Sequence, residues 1–196
     1  MNFSGLAPFF LLAMTGMITP GPNNLMIMYS GLNFGIKRSI PAFLGILLGG
    51  PLLLQLIGNG VGVLFIAFPS LKLLIKILGS FYILFLAWKI GRMSDVQGKE
   101  QAAPITFLAA LAFQWVNPKV WILFLTYITI FNVTDVVWLN TLVLAGCVMF
   151  FNFPCLCIWL GLGRVLERII HNKRQIKILN RVLAVILVLS VGLLWK

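Results

Sequence analysis

Carboxylates are scarce in this chain. Of 196 residues only four are acidic, against fifteen Lys and Arg, with a single histidine and three cysteines. The acids, Asp95, Glu100, Asp135 and Glu167, all fall between the long apolar runs or at their edges. That leaves no nucleophile–base pair and no cluster of metal ligands to assemble, so the expectation is a protein that is not an enzyme, with no cofactor and no metal site. A glycine-rich phosphate loop is also missing, which excludes ATP hydrolysis within the chain. Cys147, Cys155 and Cys157 share one apolar run, and on a helix the last two point about 160° apart. They read as small hydrophobes rather than a redox or metal pair.

No polar stretch is long enough to form a separate soluble domain. What fills the chain instead is oil. Hydrophobic residues make up 61% of it, charged residues 10%, and the mean hydropathy is +1.04. Six apolar segments run over 6–32, 40–67, 71–90, 105–131, 137–162 and 178–195. Each can cross a hydrocarbon core that needs about 20 helical residues. The expected class is therefore an all-α integral membrane protein, a single transmembrane domain over 1–196. The first run has no Lys or Arg before Lys37 and ends in Pro-Gly-Pro rather than a cleavage site, so it is expected to be a retained helix.

The net charge of +11 does not point to nucleic acid. Eleven basic residues fall in or beside the connections between segments 1 and 2, 3 and 4, and 5 and 6, whereas only Lys72, Lys76 and Lys196 map to the other side. By the positive-inside rule those connections are cytoplasmic and both termini are outside. Trp88 and Trp195 sit near span ends, where amphipathic rings prefer to be. The basic 164–181 stretch, interleaved with apolar residues, suits a short helix on the anionic leaflet.

Two interruptions stand out. "TPGPNN" (19–24) breaks the first segment and "NPK" (117–119) the fourth, with Pro20 and Pro118 separated by 98 residues, half the chain. Two halves of three spans each must insert with opposite orientation. The expectation is two inverted three-helix repeats, about 1–98 and 99–196, with helices 1 and 4 broken mid-membrane and a site at the midplane. Proline removes an amide donor and clashes with the preceding turn. The carbonyls it frees cannot face lipid, so the breaks must be buried in protein or line a cavity.

Pro20, Gly21 and Pro22 end one half-helix; the next begins near Asn23 and Asn24, where free amide groups and the helix dipole favour an anion. Lys119, after Asn117 and Pro118, is the one charged residue near the middle of a span, and its natural ligand is a carboxylate. Gln55 and Asn59, four apart on one helix face, join the candidates with Gln114 and Asn152; helix-to-helix hydrogen bonding explains these amides equally well. Gly45-x-x-x-Gly49 and Gly58-x-x-x-Gly62 allow close packing. A neutral amino acid suits this set: its carboxylate meets the half-helix end and Lys119, and its ammonium meets freed carbonyls and amides.

The stretches "TPGPNNLMIMYSGLNFGIKRSIPAFLGILLG", "GSFYILFLAWKI", "PITFLAALAFQWVNPKVWILF" and "NRVLAVILVL" resemble the LysE/RhtB family of bacterial amino-acid exporters over nearly the whole chain. The "GIKRS" loop and the closing "NRVLA" are most similar to its cysteine/O-acetylserine branch. The resemblance implies amino-acid efflux across the inner membrane, with Pro20, Gly21, Pro22, Asn23, Asn117, Pro118 and Lys119 as the matching motif positions. The family's exporters of basic amino acids often carry an acid where this chain has Gly50, which argues against lysine or arginine as cargo. The expected activity is export of small neutral amino acids (cysteine/O-acetylserine or homoserine/threonine type) by alternating access. The alternatives are a metal-cation exporter of a related superfamily or a non-transporting membrane subunit. The expected partners are the substrate and the lipid bilayer, with a homodimer left open.

Overall fold

Proline decides where the first helix stops. The computed structural model describes residues 6–92, 103–170 and 172–195; Asp95, Lys99, Glu100 and Lys196, part of the charge map, lie outside these. Helix α1 spans Leu6–Ile18, and α2 starts at Pro22, whose fixed φ suits a first helical position. The same device recurs in the second half, where α5 (Phe107–Val116) and α6 (Pro118–Ile130) meet at Asn117 with a bend of 65°.

Helix α2 is written Pro22–Leu56, but it is two limbs joined at Gly35, which has φ 72° and ψ 175°. Glycine adopts this left-handed backbone without a Cβ penalty. The Ser30 and Ser39 hydroxyls hydrogen-bond at 2.8 Å. In a straight helix they would be separated by about 13 Å, so the chain doubles back. The expected loop carrying Lys37 and Arg38 is thus a one-residue reversal. At the far end a π turn, Ile57–Val61, holds Gly60 at φ 132° and leads into α3, Gly62–Ala67. Helix α4 spans Pro69–Arg92, α7 Val137–Ile169 and α8 Lys173–Leu194.

The expected surface helix over 164–181 does not form as a separate element. Helix α7 runs through to Ile169, with an Arg164–Glu167 ion pair in its final turns, and Asn172 caps α8 by accepting from the Arg174 amide at 2.9 Å. The basic residues therefore decorate the ends of two long helices.

Among the described residues every regular element is helical. Pro22–Val61, Leu73–Arg92 and Val137–Ile169 are long and apolar enough to cross a bilayer, and the bent α5–α6 pair makes a fourth. Phe150, Leu108, Leu11 and Phe81 are each between 69% and 73% exposed. An outer surface of such side chains belongs against lipid, and the protein is a multi-pass membrane protein.

The core divides at the breaks. Phe9, Ala13 and Met17, before the first break, pack with Val120, Phe124 and Tyr127, after the second. Leu25 to Tyr29, after the first break, pack with Ala110 and Phe113, before the second. Glycine allows the closest approaches. A Cβ on Gly163 would collide with the Met28 carbonyl, and one on Gly45 with the Phe107 carbonyl. Gly49 likewise lies against Leu111 and Gln114, so the Gly45/Gly49 pair does pack a helix closely, namely α5.

Candidate functional site between the two helix breaks

The carbonyls freed at the end of α1, from Gly16 to Pro20, each accept from a side-chain donor. The Thr19 hydroxyl donates to Gly16 O at 3.0 Å. Asn24 Nδ2 donates to Met17 O at 2.7 Å and to Thr19 O at 2.9 Å. The Trp159 indole N–H, from α7, reaches Ile18 O at 3.1 Å. Lys119 Nζ completes the set, donating to Thr19 O at 2.8 Å, the Thr19 hydroxyl at 2.7 Å and Pro20 O at 3.5 Å. Leaving such groups unpaired in a membrane interior would cost several kcal/mol each. The lysine of the second break thus closes the first.

The reverse contact is made by amides. Asn23 Nδ2 donates to Gln114 Oε1 at 2.8 Å, and Asn23 Oδ1 accepts from Gln114 Nε2 at 3.2 Å and Asn117 Nδ2 at 3.0 Å. Asn117 is 1% exposed, and its Oδ1 has no hydrogen-bond partner. A buried acceptor left unpaired costs about 1–3 kcal/mol, so this oxygen is available to an incoming donor.

These residues enclose a cavity of about 50 Å³. Asn23, Asn24, Gln114, Asn117 and Lys119 form its polar side, and Asn152 joins them from α7. Met17, Val120, Leu123, Phe124 and Val148 form an apolar side, with Gly50 between. Gly21 also lines it for a steric reason: a Cβ there would sit 2.8 Å from Lys119 Cδ and 3.0 Å from Nζ. Its φ of −171° is ordinary extended backbone, so room for the lysine is what requires glycine.

Of the candidate residues, Asn23, Asn24, Gly21, Gln114, Asn117, Lys119 and Asn152 come together at the cavity. Pro20, Pro22 and Pro118 shape the breaks without lining it. Gln55 and Asn59 stand elsewhere. Gln55 donates to Trp138 O at 3.2 Å; Asn59 donates to Gln55 O at 2.8 Å and the Thr141 hydroxyl at 2.9 Å. They fasten the π turn to the start of α7, the helix-to-helix bonding that explains such amides in membranes. Sequence reasoning missed Trp159 and Phe124. Both sit in uniformly apolar runs, where periodicity carries no sign of which ring faces inward.

Both breaks fall within residues 14–195, which match the family model of the LysE type translocator. The chain belongs to this family. Among its relatives are the cysteine/O-acetylserine efflux proteins of Escherichia coli strain K12 and Shigella flexneri, each 31% identical over 187 residues and covering 93% of both chains. The protein of the same name from Salmonella typhi is 28% identical over 186 residues, with the same coverage. No solved structure matches. The resemblance seen in the "TPGPNN" and "NPK" blocks is therefore one of family membership, and these relatives of the LysE type translocator are efflux proteins by name.

Proposed function

We propose that the protein is a secondary transporter that exports a small neutral amino acid, of the cysteine/O-acetylserine or homoserine/threonine type, by alternating access across the bacterial inner membrane. The observation that carries this reading is the cavity between the breaks, which has an ammonium, five amides and an apolar wall but no acid among its lining residues. Lys119 receives the substrate carboxylate. Asn117 Oδ1, buried and unpaired, accepts from its ammonium. A cationic side chain would find no counter-charge here, and a metal cation would face Lys119.

Substrate binding on this scheme is an exchange. The three donors of Lys119 are engaged by Thr19 and Pro20, and a carboxylate takes their place. The bonds from Lys119 to Thr19 and Pro20 carry charge on the donor alone; a carboxylate brings the opposite charge, and its added Coulomb attraction in a low-dielectric site favours the exchange. Releasing Thr19 and Pro20 loosens the first break as the site fills, linking binding to movement of one half against the other.

The architecture proposed is six spans in two inverted repeats, with both termini outside. Support comes from residues 98 apart that line the same cavity: Gly16 with Gln114, Gly21 with Lys119, and Gly50 with Val148. A pseudo-two-fold axis through the cavity brings such mates together. The crossed packing of the core, α1 with α6 and the first limb of α2 with α5, has the same relation. The reversal at Gly35 supplies the additional span within Pro22–Val61.

The test is efflux from proteoliposomes preloaded with a labelled panel: cysteine under reducing conditions, O-acetylserine, homoserine, threonine, lysine and manganese. Export confined to neutral amino acids supports the reading. Export of lysine or manganese, or of nothing, overturns it.

A further inference from the structure

We infer that the gap between Gly50 and Phe124 sets the upper size of the side chain the cavity accepts; the inference rests on the exporter reading above. The polar groups of the site fix the zwitterion on one side of the cavity. The substrate side chain must then point to the apolar side, where the least filled position is Gly50.

Glycine at 50 is not required by packing. A Cβ built there meets only Phe124 Cζ at 3.5 Å and Cε2 at 4.0 Å, ordinary van der Waals contact across the cavity. Its neighbours Gly45 and Gly49 are different, since each lies against the backbone of α5. Nor does the backbone require it. Gly50 is inside a continuous helical limb, where glycine is less stable than alanine. It precedes Pro51, a position where a Cβ is disfavoured, yet Pro41 and Pro154 lie inside helices behind Ile40 and Phe153. What glycine supplies at 50 is space in the cavity.

Phe124 closes that space from the opposite side. It is 4% exposed, and its ring packs on Tyr127 with centroids 6.2 Å apart. The ring is thereby backed, and its edge forms the floor against which a substrate side chain ends. Val148, 98 residues from Gly50, fills the repeat-related position with a branched side chain. The room for a side chain therefore lies on one side of the pseudo-axis only.

The experiment compares wild type, Gly50→Ala and Phe124→Leu in proteoliposomes loaded with serine, cysteine, O-acetylserine or methionine, each variant first checked for an unchanged Tm in detergent. A methylene in an apolar pocket is worth about tenfold or more in discrimination. Gly50→Ala is expected to lower O-acetylserine export at least about tenfold relative to cysteine, and Phe124→Leu to raise methionine export relative to cysteine by a similar factor. Parallel changes across all substrates in both folded variants, or none, overturn the size filter while leaving the exporter reading standing. A wild type that exports none of the four overturns both.

Discussion

The Lys119 ammonium lies 2.8 Å from the carbonyl oxygen of Thr19, a hundred residues earlier in the chain. A side chain from the break in one half thus replaces the backbone donors lost at the break in the other. Neither break is completed by its own half, and the cavity between them exists because the two are joined.

Gly21→Ala is expected to reduce export strongly while leaving the backbone of the break in place. The extended φ at this position accepts alanine, but the new methyl would press on the Lys119 stem at 2.8 Å. Export rates beside an unchanged helix content by circular dichroism check this. Full export by Gly21→Ala would mean that the lysine does not need that path.

Trp159→Phe removes the indole donor to Ile18 O and leaves a smaller aromatic ring in its place. The carbonyl then lies unpaired, at a cost of about 1–3 kcal/mol. A lower Tm and slower export are expected together. If Tm and export both match wild type, Ile18 O is satisfied by water and Trp159 is not a tie.

Asn59→Ala should behave in the opposite sense. The residue bridges Gln55 and Thr141, away from the cavity, so the loss is expected in stability, about 0.6 kcal/mol for each hydrogen bond between membrane helices. The relative rates for cysteine and O-acetylserine should not change. A shift in that ratio would place Asn59 in the transport path after all.

Gly35→Ala should disturb insertion or folding rather than transport chemistry. At φ 72° and ψ 175°, a region essentially reserved to glycine, a Cβ costs about 1–3 kcal/mol, and the reversal that pairs Ser30 with Ser39 depends on this backbone. Lower yield of folded protein, with normal export per folded molecule, is the expected result.

Much of this arrangement was legible in the sequence, and the reasons differ by residue. Pro20, Pro22 and Pro118 announce the breaks because proline removes an amide donor and crowds the preceding turn, and here they stand beside Gly21, Asn23 and Asn117, whereas the isolated Pro41, Pro51 and Pro154 stay inside helices. Lys119 and Asn23 were legible because polar groups inside an apolar run need partners. Gln55 and Asn59 have that same property but lie away from the cavity: an amide that fastens two helices and one that faces a cavity carry the same sequence signal. The reversal at Gly35 was hidden inside an expected seven-residue loop, 33–39, since one glycine at positive φ does the work of a longer turn. Phe124 and Trp159 were not legible, because in a membrane protein apolar residues cover both the outer surface and the interior.

The most direct test of the central claim is export of labelled cysteine and O-acetylserine by wild type, Lys119→Met and Asn23→Ala, with folding verified for each. Lys119→Met keeps the stem and removes the ammonium. The account predicts that both substitutions lower export at least about tenfold, since the first removes the carboxylate's partner and the second the amide that holds Gln114 and Asn117 in place at the cavity. Export at wild-type rates by both folded variants would contradict it, leaving the paired breaks as packing devices and the cavity without a role.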